Sequence, residues 1–139
     1  MGDQDNVAII RKMYAAFSAG DVETILDSIT DDVEWTNYGP STIPYAGSWS
    51  GRSQVTQFFQ AIDSSTTGGK VTPETFTAEG DTVVSTGRYT ATVRNTGTQI
   101  DVPIAHLFTL RNGKVTKWVG YSDTARLAEA HGSAAAATR

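Results

Sequence analysis

The chain has 139 residues, a formal net charge of -4 and no cysteine, which fits one domain and excludes disulfides and thiolate metal sites. The acidic balance argues against nucleic acid as the main partner. No stretch approaches the ~20 consecutive apolar residues of a membrane-spanning helix, and the N-terminus lacks a signal-peptide core, so we expect a cytoplasmic protein without a membrane partner.

Three amphipathic helices are predicted in the first half of the chain. The first begins near Asp5 or Asn6 and ends at Gly20, a residue type that suits a helix end. A short second helix begins after Asp21, which caps it, and a third follows Gly51. Their apolar stripes comprise Val7, Ile10, Met13, Tyr14 and Phe17 in the first, Val22, Ile25, Leu26 and Ile29 in the second, and Val55, Phe58, Phe59 and Ile62 in the third.

Five strands are predicted from alternation of apolar and polar residues. An ordered loop from Gly39 to Gly51, rich in proline and glycine, separates the first strand from the third helix. Residues 64–69 are predicted as a second loop, and Asn112-Gly113 closes a tight hairpin between the last two strands. The strands cover about residues 33–37, 71–78, 82–94, 101–110 and 115–121.

These elements predict an α+β domain over residues 1–131. Three N-terminal helices would cover one face of a long, mostly antiparallel sheet, which twists and curls so that a cone remains between the layers. Ser122 or Asp123 caps a short closing helix through Leu127 and Ala128. The alanine-rich segment 132–139 is predicted to be a disordered tail.

His106 interrupts an otherwise apolar strand face, which is the most informative feature of the sequence. The flanking residues on that face are Val102, Ile104, Phe108 and Leu110. Burying an ionisable ring among aliphatic groups costs free energy unless a partner or ligand meets it. Two interpretations remain open: a group for chemistry near neutral pH, and a core histidine bonded to a carbonyl.

The hairpin at Asn112-Gly113 places Phe108 opposite Trp118 and His106 opposite Gly120. A glycine within a strand marks room for a ligand or a bulge. The predicted interior is aromatic, with a few polar groups, as a small-molecule site requires. The candidate catalytic residues are His106, Asn37 and Tyr14, and the candidate substrate-binding residues are Trp35, Tyr45, Phe58, Phe108, Trp118 and Gly120.

A histidine in this position could abstract a proton next to a carbonyl or protonate a leaving oxygen. Asn37 and the Tyr14 hydroxyl could donate hydrogen bonds to a developing oxyanion. The alternatives are that Tyr14 is a core residue with its hydroxyl at the edge, and that Asn37 caps a turn. His106 and His131 are the two histidines of the chain, and His131 falls near the tail, so neither a metal nor a cofactor is predicted.

Five stretches spread over nearly the whole domain carry a family resemblance: Met13 to Asp21, Asp31 to Trp35, Ile43 to Phe59, Val102 to Val115 and Tyr121 to Leu127. They resemble the SnoaL-like branch of the nuclear transport factor 2-like superfamily, which includes polyketide cyclases and relatives of ketosteroid isomerase. The resemblance implies a cone-shaped, cystatin-like α+β barrel and a homodimer formed through the outer sheet face.

The resemblance does not carry over a complete catalytic set. The tyrosine of the isomerases falls on Met13, one residue before Tyr14, and their aspartate base falls on Asn37. Their second acid falls on His106 when one residue is dropped from the hairpin, and on Ala105 otherwise; only His106 keeps the apolar alternation. The aspartate of the polyketide cyclases aligns with Gly120.

The resulting prediction is a cofactor-independent acid–base enzyme of the cyclase, isomerase or dehydratase type. Its substrate would be a hydrophobic, carbonyl-bearing small molecule such as a polyketide. The alternative, favoured by the missing acidic residues, is a noncatalytic small-molecule-binding or dimeric accessory protein. A third possibility is an interaction domain that uses the outer sheet face, where Thr86, Arg88, Thr90, Thr92 and Arg94 lie.

Overall fold

The computed structural model describes residues 2–137, which form four helices and six strands. Met1, Thr138 and Arg139 lie outside the described residues. In chain order the elements are α1 (Asp3–Ser18), α2 (Val22–Asp27), β1 (Ile29–Asn37), β2 (Gly47–Ser50), α3 (Gly51–Ser65), β3 (Thr66–Glu79), β4 (Thr82–Val93), β5 (Gln99–Arg111), β6 (Lys114–Ser122) and α4 (Thr124–Ala137).

The strands form one curved, open sheet in the order β2-β1-β6-β5-β4-β3. Every pair in it is antiparallel except β1 with β6. The α+β class and the mostly antiparallel sheet predicted from the sequence are therefore confirmed. Asn112 and Gly113, both with positive φ, form the predicted tight turn between β5 and β6.

The alternation of β4 determines which face of the sheet is covered. Along this strand every second residue is buried, beginning with Val83 and ending with Val93, and the residues between them are half-exposed. The buried face packs against α1 and α3 through residues such as Ile10, Met13 and Val55. The opposite face carries Thr86, Arg88, Thr90 and Thr92, so it is polar.

The helical cover differs from the prediction of three N-terminal helices. The second helix, α2, has six residues, and β1 and β2 stand between it and α3. Ile29, assigned from the sequence to the second helix, instead begins β1, where it is fully buried. The first helix begins at Asp3 rather than near Asp5 or Asn6, with Gly2 as its N-cap.

The C-terminal helix is longer than predicted. It begins after Asp123, whose side chain accepts a hydrogen bond from the backbone of Arg126, and it continues to Ala137. It therefore includes part of the segment predicted as a tail. Among the described residues, no helix is long and apolar enough to cross a membrane.

Two segments predicted as loops contain strand. Within the loop from Gly39 to Gly51, β2 pairs with β1, so that Trp49 lies opposite Trp35. Residues 66–69, predicted as part of a loop, instead begin β3, which pairs with β4 and shifts register after Thr67. Threonine and glycine give this segment no apolar alternation, but its backbone completes the hydrogen bonding of the long strand beside it.

Candidate functional site

A cavity of about 100 Å³ lies between the buried face of the sheet and the helices that cover it. All the predicted site residues except Gly120 line it. Apolar walls with a few polar groups are typical of a small-molecule site. The predicted residues in the wall are Tyr14, Trp35, Asn37, Tyr45, Phe58, His106, Phe108 and Trp118, and they are joined by Met13, Phe17, Tyr89, Ile104 and Leu127 among others.

Tyr14 connects the first helix with the two central strands of the site. Its hydroxyl lies 2.8 Å from Nδ1 of His106 and is also hydrogen-bonded to the hydroxyl of Ser85. Ser85 and His106 face each other across β4 and β5. The rings of Phe108 and Trp118 pack edge-on against the imidazole. The Tyr14 hydroxyl therefore lies inside the site rather than at its edge, and His106 bonds a hydroxyl rather than a carbonyl.

His106 is uncharged at neutral pH. His106 is half-buried, and it lines the cavity. This enclosure decides the charge, because burial removes the hydration that a charged imidazole needs and lowers the pKa of His106 to about 3. Burial also raises the pKa of Tyr14, against a smaller lowering by Ser85. The two groups form a neutral hydrogen-bonded pair.

Asn37 lies in the cavity wall, but one of its hydrogen-bonding groups is already in use. Its Nδ2 donates to the backbone carbonyl of Tyr45 at 3.3 Å, which ties the loop after β1 to the strand end. In the sheet, Asn37 pairs with Gly120, and Gly120 pairs with His106. Two interstrand spacings of about 4.8 Å therefore separate Asn37 from His106. The second N–H of its amide remains for a ligand.

Gly120 provides close packing rather than open space. A Cβ at this position would lie 2.5 Å from the Trp118 ring and 2.7 Å from Oδ1 of Asn37. The assignment of Gly120 to the substrate-binding residues is therefore not supported, because Trp118 and Asn37 fill the space beside it. The predicted register, with His106 opposite Gly120 and Phe108 opposite Trp118, is confirmed.

Two stacked indoles form one wall of the cavity. Trp35 and Trp118 lie 4.6 Å apart with an interplanar angle of 25°, and Phe58 packs against both. Trp35 is 4% exposed, and its indole N–H has no hydrogen-bond partner among residues 2–137. A buried donor without a partner costs free energy, so this N–H is a candidate contact for a ligand oxygen.

A second tyrosine–histidine pair closes the cavity on the side of α4. The Tyr45 hydroxyl lies 2.7 Å from Nε2 of His131, and Leu127 of the same helix lines the cavity. Burial lowers the pKa of His131 and, with the neighbouring Tyr89, raises that of Tyr45. The Tyr89 ring packs edge-on against Tyr45, and its buried hydroxyl has no partner of ordinary geometry in the described part of the chain.

Three of these groups are not among the residues predicted for the site: Ser85, Tyr89 and His131. Ser85 and Tyr89 lie at buried alternate positions of β4, and a serine among apolar neighbours is the signal that could have identified the first. His131 directly precedes the alanine-rich segment predicted as a tail. A helical continuation from Leu127 to His131, at a spacing of four residues, would have brought both to one face.

The arrangement is suited to proton transfer and hydrogen bonding rather than to metal chemistry. In the part of the chain that the structure describes, no three histidine, cysteine, aspartate or glutamate side chains gather into a set that could hold a metal ion. A neutral imidazole in an apolar cavity can donate a hydrogen bond to a carbonyl oxygen or accept a proton from carbon.

The comparisons with known proteins assign the fold and a family. The family model described as a SnoaL-like domain matches residues 10–118. Among proteins with curated functions, none matches. A nuclear transport factor 2-like protein from Burkholderia xenovorans is 30% identical with a TM-score of 0.80, and the match covers 94% of this chain and 98% of that one.

Two further solved structures are similar to this chain. TerC co-crystallised with polyporic acid is 28% identical with a TM-score of 0.83, over 91% of this chain and 98% of that one. A protein from Jannaschia, provisionally described as a SnoaL-like polyketide cyclase, is 22% identical with a TM-score of 0.80, and the match covers 92% of each chain. At that identity it supports the fold alone.

Proposed function

This chain belongs to the SnoaL-like domain family, and from that premise we propose that it is a cofactor-independent acid–base enzyme. The reaction would be a cyclisation, isomerisation or dehydration of a hydrophobic, carbonyl-bearing small molecule such as a polyketide. Within its cone-shaped barrel, the substrate would enter the cavity between sheet and helices and place a carbonyl oxygen beside His106.

The observation that carries the proposal is the Tyr14–His106 pair within apolar walls. Two neutral polar groups 2.8 Å from each other give the cavity a hydrogen-bonding centre, and the surrounding wall is mainly aromatic and aliphatic. An apolar substrate would be held by Trp35, Tyr45, Phe58, Phe108 and Trp118, with Gly120 contributing only through its neighbours. The low-dielectric surroundings strengthen each hydrogen bond to the reacting oxygen.

In the chemical step a C–H bond next to the carbonyl breaks, and its electron pair moves onto the carbonyl oxygen. His106 would act as base or acid, and Tyr14 would orient it through Nδ1. The free N–H of Asn37 would donate to an oxygen of the substrate. Isomerases and cyclases of this fold carry acidic residues at the positions that correspond to Asn37 and Gly120. Neither position has a carboxylate here, so the proposed chemistry depends on the imidazole of His106.

A noncatalytic role remains the second candidate because of those missing carboxylates. In that case the same cavity would bind and sequester the ligand, or the protein would serve as a dimeric accessory subunit. The ligand-bound TerC structure supports ligand binding by this fold and is neutral between the two roles. We further propose a cytoplasmic homodimer formed through the polar outer face of β4.

Proton exchange in heavy water separates the two candidates without knowledge of the natural substrate. We propose 2-tetralone as the probe, because it is apolar, bicyclic and has acidic protons next to its carbonyl. The enzyme should accelerate loss of those protons by about a hundredfold or more over buffer. His106→Gln should abolish the acceleration, and Tyr14→Phe should reduce it about tenfold.

Tyr38→Phe is the matched control for Tyr14→Phe, since Tyr38 is 55% exposed and lies outside the cavity wall. It should leave exchange unchanged. Binding of 2-tetralone without acceleration by the wild-type protein would contradict the enzymatic proposal and favour the binding protein.

A further inference from the structure

Ser85 is the polar residue most completely enclosed by the fold. It is 0% exposed, and its hydroxyl contacts the Tyr14 hydroxyl, which in turn lies 2.8 Å from Nδ1 of His106. The three groups form a row: Ser85, Tyr14, His106. The hydrogen bonds along the row can point in one of two directions, and one of the two leaves a buried proton without an acceptor.

In the first direction Ser85 donates to the Tyr14 oxygen and Tyr14 donates to Nδ1 of His106. Every hydrogen in the row then has an acceptor, and the remaining ring proton lies on Nε2. That nitrogen has no partner among the described residues, and His106 lines the cavity, so a ligand or water there can accept the Nε2 proton.

In the second direction Nδ1 of His106 carries the proton and donates to Tyr14, and Tyr14 donates to Ser85. The Ser85 proton then has no acceptor, since its hydroxyl has no other hydrogen-bond partner within residues 2–137. A fully buried donor without an acceptor is costly, whereas both ends of the first arrangement are satisfied or face the cavity. The first direction is favoured on the order of tenfold.

We infer that Tyr14, whose proton cannot turn to Ser85 without leaving a buried donor unpaired, is the positioning residue that fixes the neutral His106 as the tautomer with its proton on Nε2. His106 therefore presents an N–H donor to the cavity, and the group it recognises is an oxygen acceptor such as a carbonyl. This deepens the proposed function and rests on it for its catalytic meaning. Of the two roles proposed for His106, base or acid, this tautomer selects the acid: Nε2–H donates a hydrogen bond to the carbonyl oxygen, as a neutral imidazole can. The proton on the neighbouring carbon passes to a solvent water molecule, its C–H pair forms the new carbon–carbon double bond, and the carbonyl π pair moves to oxygen.

The tautomer is measured directly, with no substrate, by multiple-bond correlation of ¹H and ¹⁵N in protein labelled at both histidine ring nitrogens. His131→Gln removes the second histidine's signals and so assigns those of His106. At pH 7 we expect the wild-type signals of a neutral ring with Nδ1 as acceptor and the proton on Nε2. A ring with its proton on Nδ1, or a charged ring, would overturn the inference.

Tyr14→Phe removes the donor to Nδ1, so the tautomer with its proton on Nδ1 should rise from about a tenth or less to a comparable population. Ser85→Ala is the matched control, because the Tyr14 hydroxyl then has Nδ1 of His106 as its one acceptor among the described residues and the ratio should stay as in wild type. If Tyr14→Phe does not fold, the wild-type ring signals carry the test. A ratio unchanged from wild type in folded Tyr14→Phe, or an equally large change in Ser85→Ala, overturns the role of Tyr14.

Exchange of 2-tetralone gives the catalytic readout. Tyr14→Phe should lower kcat about tenfold with little change in KM, because the aromatic ring in the cavity wall is kept while His106 loses both its fixed tautomer and the hydrogen bond that orients it. If the wild-type tautomer is as inferred but no variant or wild-type protein accelerates exchange, the proposed function fails while the tautomer assignment stands. The two failures are thus distinguishable.

Discussion

At the scale of single residues, the site depends on keeping an imidazole neutral. His106 has no charged partner in the cavity wall, and its pKa falls to about 3 through loss of hydration. Tyr14 keeps its proton for the same reason. The pair thus consists of two uncharged polar groups in an apolar space. Hydrogen bonding rather than charge therefore orients a ligand there.

This neutral histidine makes stability depend on pH. Between about pH 6.5, where an exposed histidine titrates, and pH 3, where His106 does, the unfolded chain binds a proton at this residue that the folded chain does not. The free energy of unfolding therefore falls as pH falls through this window. Half-buried His131, whose pKa is also lowered, contributes in the same direction.

We predict that urea unfolding at pH 7.5 and pH 5.0 will show a loss of about 2 kcal/mol attributable to His106. His106→Gln should lose that much less stability over the same interval, because glutamine does not titrate. Carboxylates contribute equally to both proteins and cancel in the comparison. Equal pH dependence in the two proteins would mean that the folded imidazole accepts a proton at ordinary pH.

At the scale of elements, the hairpin of β5 and β6 was the part of the site best predicted from sequence. Asn112-Gly113 fixes the turn, and the turn fixes which residues face each other, so His106 was correctly placed opposite Gly120. The alternation did not predict which side chains occupy the space beside Gly120. Whether a glycine leaves a void or admits a neighbouring ring depends on the rotamers of the side chains around it, here Trp118 on the same strand and Asn37 on β1.

Gly120→Ala tests that packing. Its Cβ would meet the Trp118 ring at 2.5 Å, so we expect a loss of about 1–3 kcal/mol in the free energy of unfolding by urea. Binding of 2-tetralone should also weaken as Trp118 moves into the cavity. Gly132→Ala is the control, since a Cβ there would meet nothing nearer than Thr42 at 4.0 Å. A Gly120→Ala protein as stable as that control would show that the site has room to spare.

The C-terminal helix was the element least predictable from sequence. Its first turns bring Leu127 into the cavity wall and His131 onto Tyr45. Tyr45 and His131 are 86 residues apart in the sequence. Local patterns carry no information about such pairs. The alanine-rich composition after His131 has no apolar stripe, and it suggested an end to the structure where α4 in fact continues.

We predict that His131→Ala weakens the attachment of α4 to the cavity. Loss of one hydrogen bond of about 1 kcal/mol should raise amide hydrogen exchange over residues 124–131 about fivefold. Exchange in β4 and β5 should be unchanged, because their ladders do not involve the helix. Uniform acceleration across the protein, or none in α4, would contradict a local attachment through Tyr45.

At the scale of the whole molecule, a curled sheet and its helical cover enclose a cavity lined mainly by aromatic and aliphatic side chains. The fold class was predictable because amphipathic helices precede hairpin-linked strands in the sequence, and the family resemblance rested on segments spread over the domain. The reaction was not predictable, because the resemblance places Asn37, His106 and Gly120 where isomerases and cyclases would carry acidic residues. The chemistry must be inferred from what the side chains in the cavity wall contact.

The cavity as it stands has about 100 Å³ of free space, less than the ~300 Å³ at the lower end of typical ligand sites. A bicyclic ligand therefore requires some movement of the wall, and an extended polycyclic ligand requires more. Tyr45 is hydrogen-bonded to His131 of α4, and Leu127 of the same helix lines the cavity. We therefore expect a large ligand to loosen the C-terminal helix.

The infrared carbonyl stretch of bound 2-tetralone, labelled with ¹³C at the carbonyl, tests most directly whether His106 donates a hydrogen bond to its ligand. In the wild-type protein the band should move to lower frequency than in an apolar solvent, and in His106→Gln most of that shift should disappear. A band at the same frequency in both proteins would contradict the account, because the imidazole would then not contact the oxygen.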